Sequence, residues 1–198
     1  MFPAPIQKLI SHFQKLPGIG PRQAAKFAMR LTKMTDSELK FMAQDISTLK
    51  SFVGECKECF MLFDKPNSGI LLCQFCRNPE RDKNKICVVV NDNDALSIEK
   101  TKNFDGVYHV LGGHVSLLDK EENRNLNLIG LKNRIKKETE VILALNANAE
   151  GQATIMYLEK FLEGMDHKTS RLAQGMSTGS EIEYADDQTL INALKHRR

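Results

Sequence analysis

The first fifty residues carry apolar side chains at the spacing of amphipathic helices. A first helix is predicted over residues 4–16, and a second runs from Pro21, which suits the first position of a helix, to about Lys33. Thr35 and Glu38 form a capping box that predicts the start of a third helix. The apolar positions of the first and third helices are Ile6, Leu9, Ile10, Phe13 and Leu16, and Leu39, Met42, Ile46, Leu49 and Val53.

From residue 86 onward, short apolar runs alternate with helical periods. The predicted strands are 86–90, 106–111 and 141–145, and the predicted helices are 93–102, 126–137 and 150–162. This alternation indicates a small, mainly parallel sheet that is covered on both faces. The polar stretch 77–85 is interpreted as a linker. The tail is interpreted as a short strand near 181–184 followed by an Asp-capped helix that carries Leu190, Ile191 and Leu194.

The charge is unevenly distributed, although the net charge is only +3. Residues 1–33 contain no Asp or Glu, which leaves 22 cations and 25 anions in the remainder. A basic end on a mildly acidic body favours a polyanionic partner that is reached through the N-terminal helices. The alternative is an ordinary solvated helix face. The cations of this segment are Lys8, Lys15, Arg22, Lys26, Arg30 and Lys33.

The chain has no apolar run of the roughly 18 residues that a membrane span needs, so no membrane partner is expected. The start of the sequence lacks the pattern of a secretory signal, and a cytoplasmic location is therefore expected. Disulfides are unfavourable in that compartment, which makes metal ligation the better interpretation of paired cysteines.

The strongest chemical signal is Cys56-x-x-Cys59, thirteen residues, and then Cys73-x-x-Cys76. Two such knuckles complete a tetrahedral shell of four sulfurs, the geometry that zinc accepts. Because all four positions are filled, one structural rather than catalytic Zn²⁺ per chain is expected. Iron in the same cage and a redox dithiol are the alternatives. Cys87 lies inside an apolar run and is interpreted as a buried core residue.

The second signal is the segment Leu16-Pro-Gly-Ile-Gly-Pro-Arg22, which resembles the turn of a helix–hairpin–helix. Gly18 and Gly20 allow close approach of the backbone to a ligand, and the following helix presents its positive end to a phosphate. Arg22, Lys26 and Arg30 follow at intervals of four on one face of that helix. These five residues are the predicted DNA contacts, made to the phosphate backbone without sequence specificity. The alternative is a helical hairpin that needs glycines only to turn.

Residues 86–99 and 140–154 resemble the two acidic segments of a Toprim domain. Such domains hold magnesium with a Glu after one strand and an Asp-x-Asp after another. Here Val90 stands at the Glu position, and Asn146 and Asn148 replace the two aspartates. Amides contribute far less than carboxylates to a magnesium site, so a Toprim scaffold without Toprim chemistry is expected. The nearby acids are Asp92, Asp94 and Glu150.

Taken in order, these pieces resemble the RecR family of recombination mediators over nearly the whole chain. The further segments that fit are Ile86-Cys-Val-Val, Glu140-Val-Ile-Leu-Ala, Glu150-Gly-x-Ala-Thr154, Ser170-Arg-Leu-Ala-x-Gly175 and Glu183-Tyr-Ala-Asp186. The resemblance implies an α+β, multi-module fold. Its expected parts are a helix–hairpin–helix at 1–54, a four-cysteine zinc finger at 55–78, an α/β Toprim-like domain with a mainly parallel sheet at 79–175, and a C-terminal exchange segment for oligomerisation at 176–198.

The resemblance also implies a ring-like homodimer or homotetramer that can encircle DNA, with RecO and RecF as partners. The family helps RecA load onto single-stranded DNA. Its DNA-contacting positions correspond to Arg22 and Lys26, and its acidic partner-binding positions correspond to Val90, Glu150 and Gln152. Asp92, Asp94 and Glu150 are therefore the acids expected to contact a partner protein.

Three departures from the family pattern stand out. Val90 and Gln152 replace acids, so the surface expected to contact RecO is less negative and the contact is expected to be weaker. Residues 120–127 replace a Gly-rich stretch, and Ser177 and Ser180 stand where Pro and Gly are usual. The expected function is that of a non-catalytic mediator. The alternatives are a magnesium-dependent Toprim nuclease or primase-like enzyme and a pure protein-interaction module.

Overall fold

The computed structural model describes residues 2–65, 69–116, 122–173, 176 and 179–195, with the backbone only at 122, 124, 188 and 195. The chain divides into two compact units, Met1–Phe52 and Val53–Arg198. Gly175, Ser177 and residues 120–121, which the sequence comparison singled out, lie outside the described residues. The finer division at 54, 78 and 175 stays a prediction.

Three helices form the N-terminal unit: α1 (Ala4–Phe13), α2 (Pro21–Leu31) and α3 (Asp36–Phe52). Helix α1 ends three residues earlier than predicted. The Lys15 N–H donates to the His12 carbonyl and the Leu16 N–H donates to the Phe13 carbonyl, which is the tighter i−3 pattern of a turn. Leu16 precedes Pro17, and a residue before proline disfavours the helical conformation.

The predicted capping box at the start of α3 is confirmed. The Thr35 N–H donates to Glu38 Oε2 at 2.7 Å, and the Glu38 N–H donates back to Thr35 Oγ1 at 3.3 Å. These hydrogen bonds from the backbone and hydroxyl of Thr35 lower the pKa of the Glu38 carboxyl. The box satisfies two backbone donors that no intrahelical carbonyl can reach.

The second unit is built on a parallel sheet, as predicted, and the sheet has four strands. Its strands are β3 (Asp82–Val89), β4 (Gly106–Val110), β5 (Thr139–Leu143) and β6 (His167–Arg171), in the order β4-β3-β5-β6. Every pairing between neighbours is parallel. The helices that follow β3, β4 and β5 are α5 (Asp92–Glu99), α6 (Leu128–Arg134) and α7 (Ala149–Phe161).

Both faces of the sheet are buried, which explains why its central strands read as nearly continuous apolar runs. On one face, Cys87, Val89, Tyr108 and Val110 pack with Ala95 of α5 and with the four paired cysteines. On the other face, the strands pack against α6 and α7. The buried side chains of that face are Ile86, Val88, Val107, Leu111, Leu128, Leu131, Val141, Leu143, Ile155, Leu158 and Leu162.

Along the chain, a small cysteine-containing segment with its own short elements lies between α3 and β3. Strands β1 (Val53–Glu55) and β2 (Leu62–Asp64) pair antiparallel, and α4 (Gln74–Arg77) follows. At the C-terminal end, the Thr189 N–H donates to Asp186 Oδ1 and caps α8 (Asp187–Lys195). Across the described part of the chain, no helix is both long enough and apolar enough to cross a membrane.

Three features of the second unit differ from the sequence-based expectation. Residues 82–85, interpreted as linker, form the start of β3 because Asp82 pairs with Gly106 across a register shift. Strand β6 was missed because its sequence, His-Lys-Thr-Ser-Arg, has no apolar alternation. The segment Ile182–Tyr184 was wrongly predicted as a strand and is a 3-10 turn.

Candidate metal centre and nucleic-acid interface

The four paired cysteines come together in the second unit. One sulfur from each of Cys56, Cys59, Cys73 and Cys76 lies within 4.8 Å of all the others, and all four residues are buried. The Cys59 and Cys73 sulfurs are 3.4 Å apart. A tetrahedron with metal–sulfur bonds of about 2.3 Å spaces its sulfurs about 3.8 Å apart, so this cluster matches a metal-binding shell in size and donor type.

Local backbone turns explain how each Cys-x-x-Cys pair aims its two sulfurs the same way. In the first knuckle, the Phe60 N–H donates to the Cys56 carbonyl and the Cys56 N–H donates to the Met61 carbonyl, each at 2.9 Å. In the second, Cys73 is the N-cap of α4 and its sulfur accepts the Cys76 N–H at 3.5 Å. Four protein sulfurs leave no coordination position for water or substrate, which is the arrangement of a structural metal site.

Hydrogen bonds join the cysteine segment to the sheet and to α5. The Val110 N–H donates to the Cys59 carbonyl at 2.8 Å. Lys83 Nζ donates to the Cys76 carbonyl at 2.7 Å. The Leu62 N–H donates to Asp92 Oδ1 at 2.7 Å. Asp92, predicted from sequence to contact a partner, therefore holds β2 in place.

Cys87 has the surroundings of an inert thiol. It is buried in β3, and burial raises its pKa to about 12 because the apolar interior disfavours the thiolate. The interpretation of Cys87 as a small core residue agrees with this environment.

The glycine-rich turn of the N-terminal unit has the backbone of a tight hairpin. Gly18 has φ +78°, a conformation that side-chain-bearing residues rarely adopt, and Gly20 is the N-cap of α2. Ala24 and Ala28 are fully buried on α2, and the Phe13 and Phe27 rings meet edge-to-face with centroids 5.7 Å apart. Small and aromatic side chains together hold α1 against α2.

The basic side chains of α2 lie on its exposed surface. Arg22, Lys26 and Arg30 are all exposed, and the first turn of the helix contains no acid. Arg30 is close enough to the Glu38 carboxylate to lower the pKa of that group. Arg22 and Lys26 make no hydrogen bond or ion pair with another residue in the described ranges, and they stand nearest the hairpin. These two cations have the exposure that phosphate binding requires.

At the carboxyl ends of the strands, the Toprim-like positions serve the fold. Val90 is buried, and Asn148 Oδ1 accepts the Gly151 N–H at 2.8 Å as the N-cap of α7. Asp94 and Asn91 form the capping box of α5. Glu150 is exposed. Within the ranges that the structure describes, the four cysteines are the one group of three or more His, Cys, Asp or Glu side chains arranged to hold a metal ion.

Comparison with known sequences agrees with this geometry. Residues 6–50 match the family described as RecR, helix-hairpin-helix, residues 84–173 match the Toprim domain, and residues 175–198 match RecR, C-terminal. A protein of Prochlorococcus marinus (strain MIT 9515) named Recombination protein RecR is 40% identical over 198 residues, covering 99% of this chain and 96% of that protein. The chain belongs to the RecR family. A RecR of Parasynechococcus marenigrum (strain WH8102) is 42% identical over 193 residues, or 96% of this chain and 97% of that protein.

Membership of the RecR family confirms the α+β, multi-module fold expected from the sequence, with its hairpin, four clustered cysteines and Toprim-like sheet. Sequence reasoning missed the contacts that Phe60 makes with His109 and Gly130, the structural role of Asp92, and the hydrogen bonds from Arg134 to β4. These residues carry no spacing signature, because they meet only through the tertiary fold.

Proposed function

We propose that the protein is a non-catalytic, DNA-binding recombination mediator that assembles into a ring-like clamp and, with RecO and RecF, helps load RecA onto single-stranded DNA. The observation that carries this proposal is the hairpin of the N-terminal unit, where exposed Arg22 and Lys26 adjoin the acid-free start of α2. Cations beside a helix N-terminus grip phosphates without reading bases. Membership of the RecR family supports the same role.

The metal in the four-cysteine site is proposed to be one structural Zn²⁺ per chain. The donor set supports zinc because thiolates in a closed tetrahedral shell suit this ion. When bound, zinc supplies folding free energy to a segment that is too short to build a core of its own. Cys56, Cys59, Cys73 and Cys76 would be its ligands.

Self-assembly is supported by apolar surface that the N-terminal unit leaves uncovered. Helix α3 has no buried residue, and Ile46 and Phe52 are 65% and 62% exposed. Helices α1, α2 and α3 line an apolar groove of ≈ 630 Å³. A unit of about fifty residues is near the lower limit for an independent core, so a second copy would bury surface that this unit cannot. The groove residues are Leu9, His12, Phe13, Leu31, Thr32, Leu39, Met42, Ala43 and Ile46.

The C-terminal segment offers a second surface for exchange between copies. Ile182 and Tyr184 are 69% and 80% exposed, and the short helix α8 follows them. A nine-residue helix is not stable in isolation and needs a surface to pack against. Two different self-contacts per chain can close a dihedral tetramer, which multiplies weak DNA contacts by raising their effective concentration.

The surface for RecO is proposed at the carboxyl ends of the strands, with Glu150 as its main acid. Asp92 and Asp94 accept backbone N–H groups within the fold, so their carboxylates are already engaged. Glu150 is exposed in the first turn of α7. Val90 and Gln152, where the family has acids, leave this surface less negative and are expected to weaken the contact.

The test of DNA binding compares Arg22→Ala/Lys26→Ala with Lys40→Ala/Lys50→Ala, which removes the same charge from α3 of the same unit. Loss of two phosphate contacts should reduce the slope of log binding constant against log salt by about 2 for duplex DNA. The loss should be similar for all DNA sequences, because phosphate contacts carry no base information. Binding is measured by fluorescence anisotropy from about 50 to 200 mM salt.

Equal weakening by both double variants would refute a role of the hairpin and leave only general charge. Normal affinity with altered sequence preference in the hairpin variant would refute phosphate binding there.

The enzyme alternative is tested by incubating supercoiled DNA with the protein and magnesium or manganese. Nicking that co-purifies with the wild-type protein and is lost in Glu150→Gln would overturn the non-catalytic proposal.

A further inference from the structure

Strand β4 is at one edge of the sheet, and both cysteine knuckles lie against the face that carries Tyr108 and Val110. Phe60 follows Cys59, and its ring meets the His109 ring edge-to-face with centroids 5.4 Å apart. Phe75 precedes Cys76, and its ring meets the Tyr108 ring in the same way at 5.4 Å. Because successive side chains of a strand point to opposite faces, the two phenylalanines enclose the edge of β4 between them.

Four outward backbone groups of β4 have hydrogen-bond partners as well. The Val110 N–H donates to the Cys59 carbonyl at 2.8 Å. Arg134 Nη1 donates to the Tyr108 carbonyl at 2.6 Å, and Arg81 Nη1 donates to the Gly106 carbonyl at 3.0 Å. The Val110 carbonyl accepts from Asn127 Nδ2 at 3.0 Å. These hydrogen bonds use the groups to which another strand would pair.

Phe60 sits in a close-fitting seat. A Cβ added at Gly130 of α6 would lie 2.3 Å from the Phe60 ring, so α6 has a glycine where the ring passes. Phe60 has φ +62°, a conformation that costs a non-glycine residue about 1 kcal/mol or more. The fold holds this strained residue in place, which indicates that the ring position matters to the structure.

We propose that the metal keeps the β4 edge closed through Phe60 and Phe75, and that its loss lets this edge pair with the β4 edge of a second copy. This inference rests on the proposed metal site. The metal joins Cys59 to Cys76, and each of these ligands is the sequence neighbour of one phenylalanine. Without the metal, nothing covalent or coordinate holds the two knuckles together, and both rings and the Cys59 carbonyl leave β4.

The second copy is the expected occupant because the exposed edge complements itself. The sequence Gly-Val-Tyr-His-Val of β4 contains β-branched and aromatic residues and no proline or charge at neutral pH, which is the composition that favours edge pairing. Two such edges placed antiparallel bury the same surface on both copies and form a two-fold interface. The remaining side-chain caps, Arg81, Arg134 and Asn127, are held by no metal and can be displaced.

The experiment measures hydrogen exchange, mass and metal content of the full-length protein before and after metal release. A thiol-reactive mercurial displaces the metal, and a colorimetric zinc indicator chelates the released ion. Excess thiol then removes the mercurial from the protein. Metal release should increase amide exchange in 106–110 on the order of tenfold or more at low protein concentration, with a smaller change in 139–143 of the central strand β5. At high concentration the mass should rise above that of the metal-bound protein, and exchange in 106–110 should slow again.

The matched variants are Phe60→Ala and Phe63→Ala, two truncations in the same segment. Phe60→Ala should retain the metal yet exchange faster in 106–110, whereas Phe63→Ala should match the wild type there. Metal release that leaves exchange in 106–110 unchanged, or equal behaviour of the two variants, overturns the inference. Assembly in which 106–110 stays fast-exchanging places the interface elsewhere and also overturns it. A wild-type protein purified without metal contradicts the proposed zinc site instead, so the two failures are distinguishable.

Discussion

Acidification should destabilise the second unit through one buried histidine. His109 is fully buried in β4, and Arg134 Nη1 approaches its Nδ1 at 3.2 Å. Because a guanidinium can only donate, Nδ1 must accept, and Nε2 carries the hydrogen that is donated to the Asn127 carbonyl at 2.9 Å. The ring is therefore held as the neutral tautomer. Burial, with a further contribution from the Arg134 charge, lowers the pKa of His109 to about 3.

The direction and size of the effect follow from proton linkage. In the unfolded chain His109 has a pKa of about 6.5, so the unfolded state binds one more proton than the folded state between about pH 6.5 and pH 3. This contribution to stability is complete above pH 6.5 and is lost as the pH falls. The free energy of unfolding should decrease by about 1.4 kcal/mol per pH unit in that window, and by about 2 kcal/mol between pH 7 and pH 5.

The assay is urea unfolding followed by circular dichroism at pH 7, 6 and 5 and constant ionic strength, for the wild type and for His109→Gln. Glutamine retains an amide donor toward Asn127 but does not titrate. The variant should be less stable at pH 7 and should lose about 2 kcal/mol less than the wild type on going to pH 5. Both proteins share the cysteine cluster and the other histidines, so those contributions cancel. Identical losses in the two proteins would show that His109 is not held neutral by the fold and would refute the reasoning.

Three further predictions concern the metal site, the seat of Phe60 and the tail. Cys73→Ser should lower the metal content below one ion per chain and unfold the cysteine segment, whereas Cys87→Ala should retain the metal; equal loss in both variants contradicts the assignment. Gly130→Ala should lower the free energy of unfolding by about 1–3 kcal/mol in urea denaturation, since its Cβ meets the Phe60 ring, and an unchanged midpoint counts against a fixed seat. Deletion of 187–198 should reduce the mass in light scattering and weaken DNA binding together, and a monomer that binds DNA as tightly as the full chain refutes the clamp.

Several features of this protein could be predicted from the sequence because neighbouring residues encode them. The hairpin follows from Gly18 and Gly20 between two apolar periods, and the start of α3 follows from Thr35 and Glu38. The cysteine cluster follows from the repeated Cys-x-x-Cys spacing. The buried central strands follow from apolar runs such as 86–90. Each signal is short, and its physical cause, a φ angle, a cap or a coordination geometry, acts within a few residues.

Other features depend on contacts between distant segments. Strand β6 exists because the backbone of 167–171 pairs with β5. Backbone hydrogen bonds do not require apolar side chains, so the polar sequence of this strand does not reveal it. Residues 82–85 extend β3 for the same reason. The pairing of Phe60 with His109 joins positions 49 residues apart through a glycine notch in α6. Asp92 likewise acquires its role from the Leu62 N–H that the fold brings to it. Sequence alone determined the hairpin, the start of α3, the central strands and the grouping of the four cysteines, whereas the tertiary structure decided which surfaces they close, because burial and edge pairing are properties of the assembled sheet.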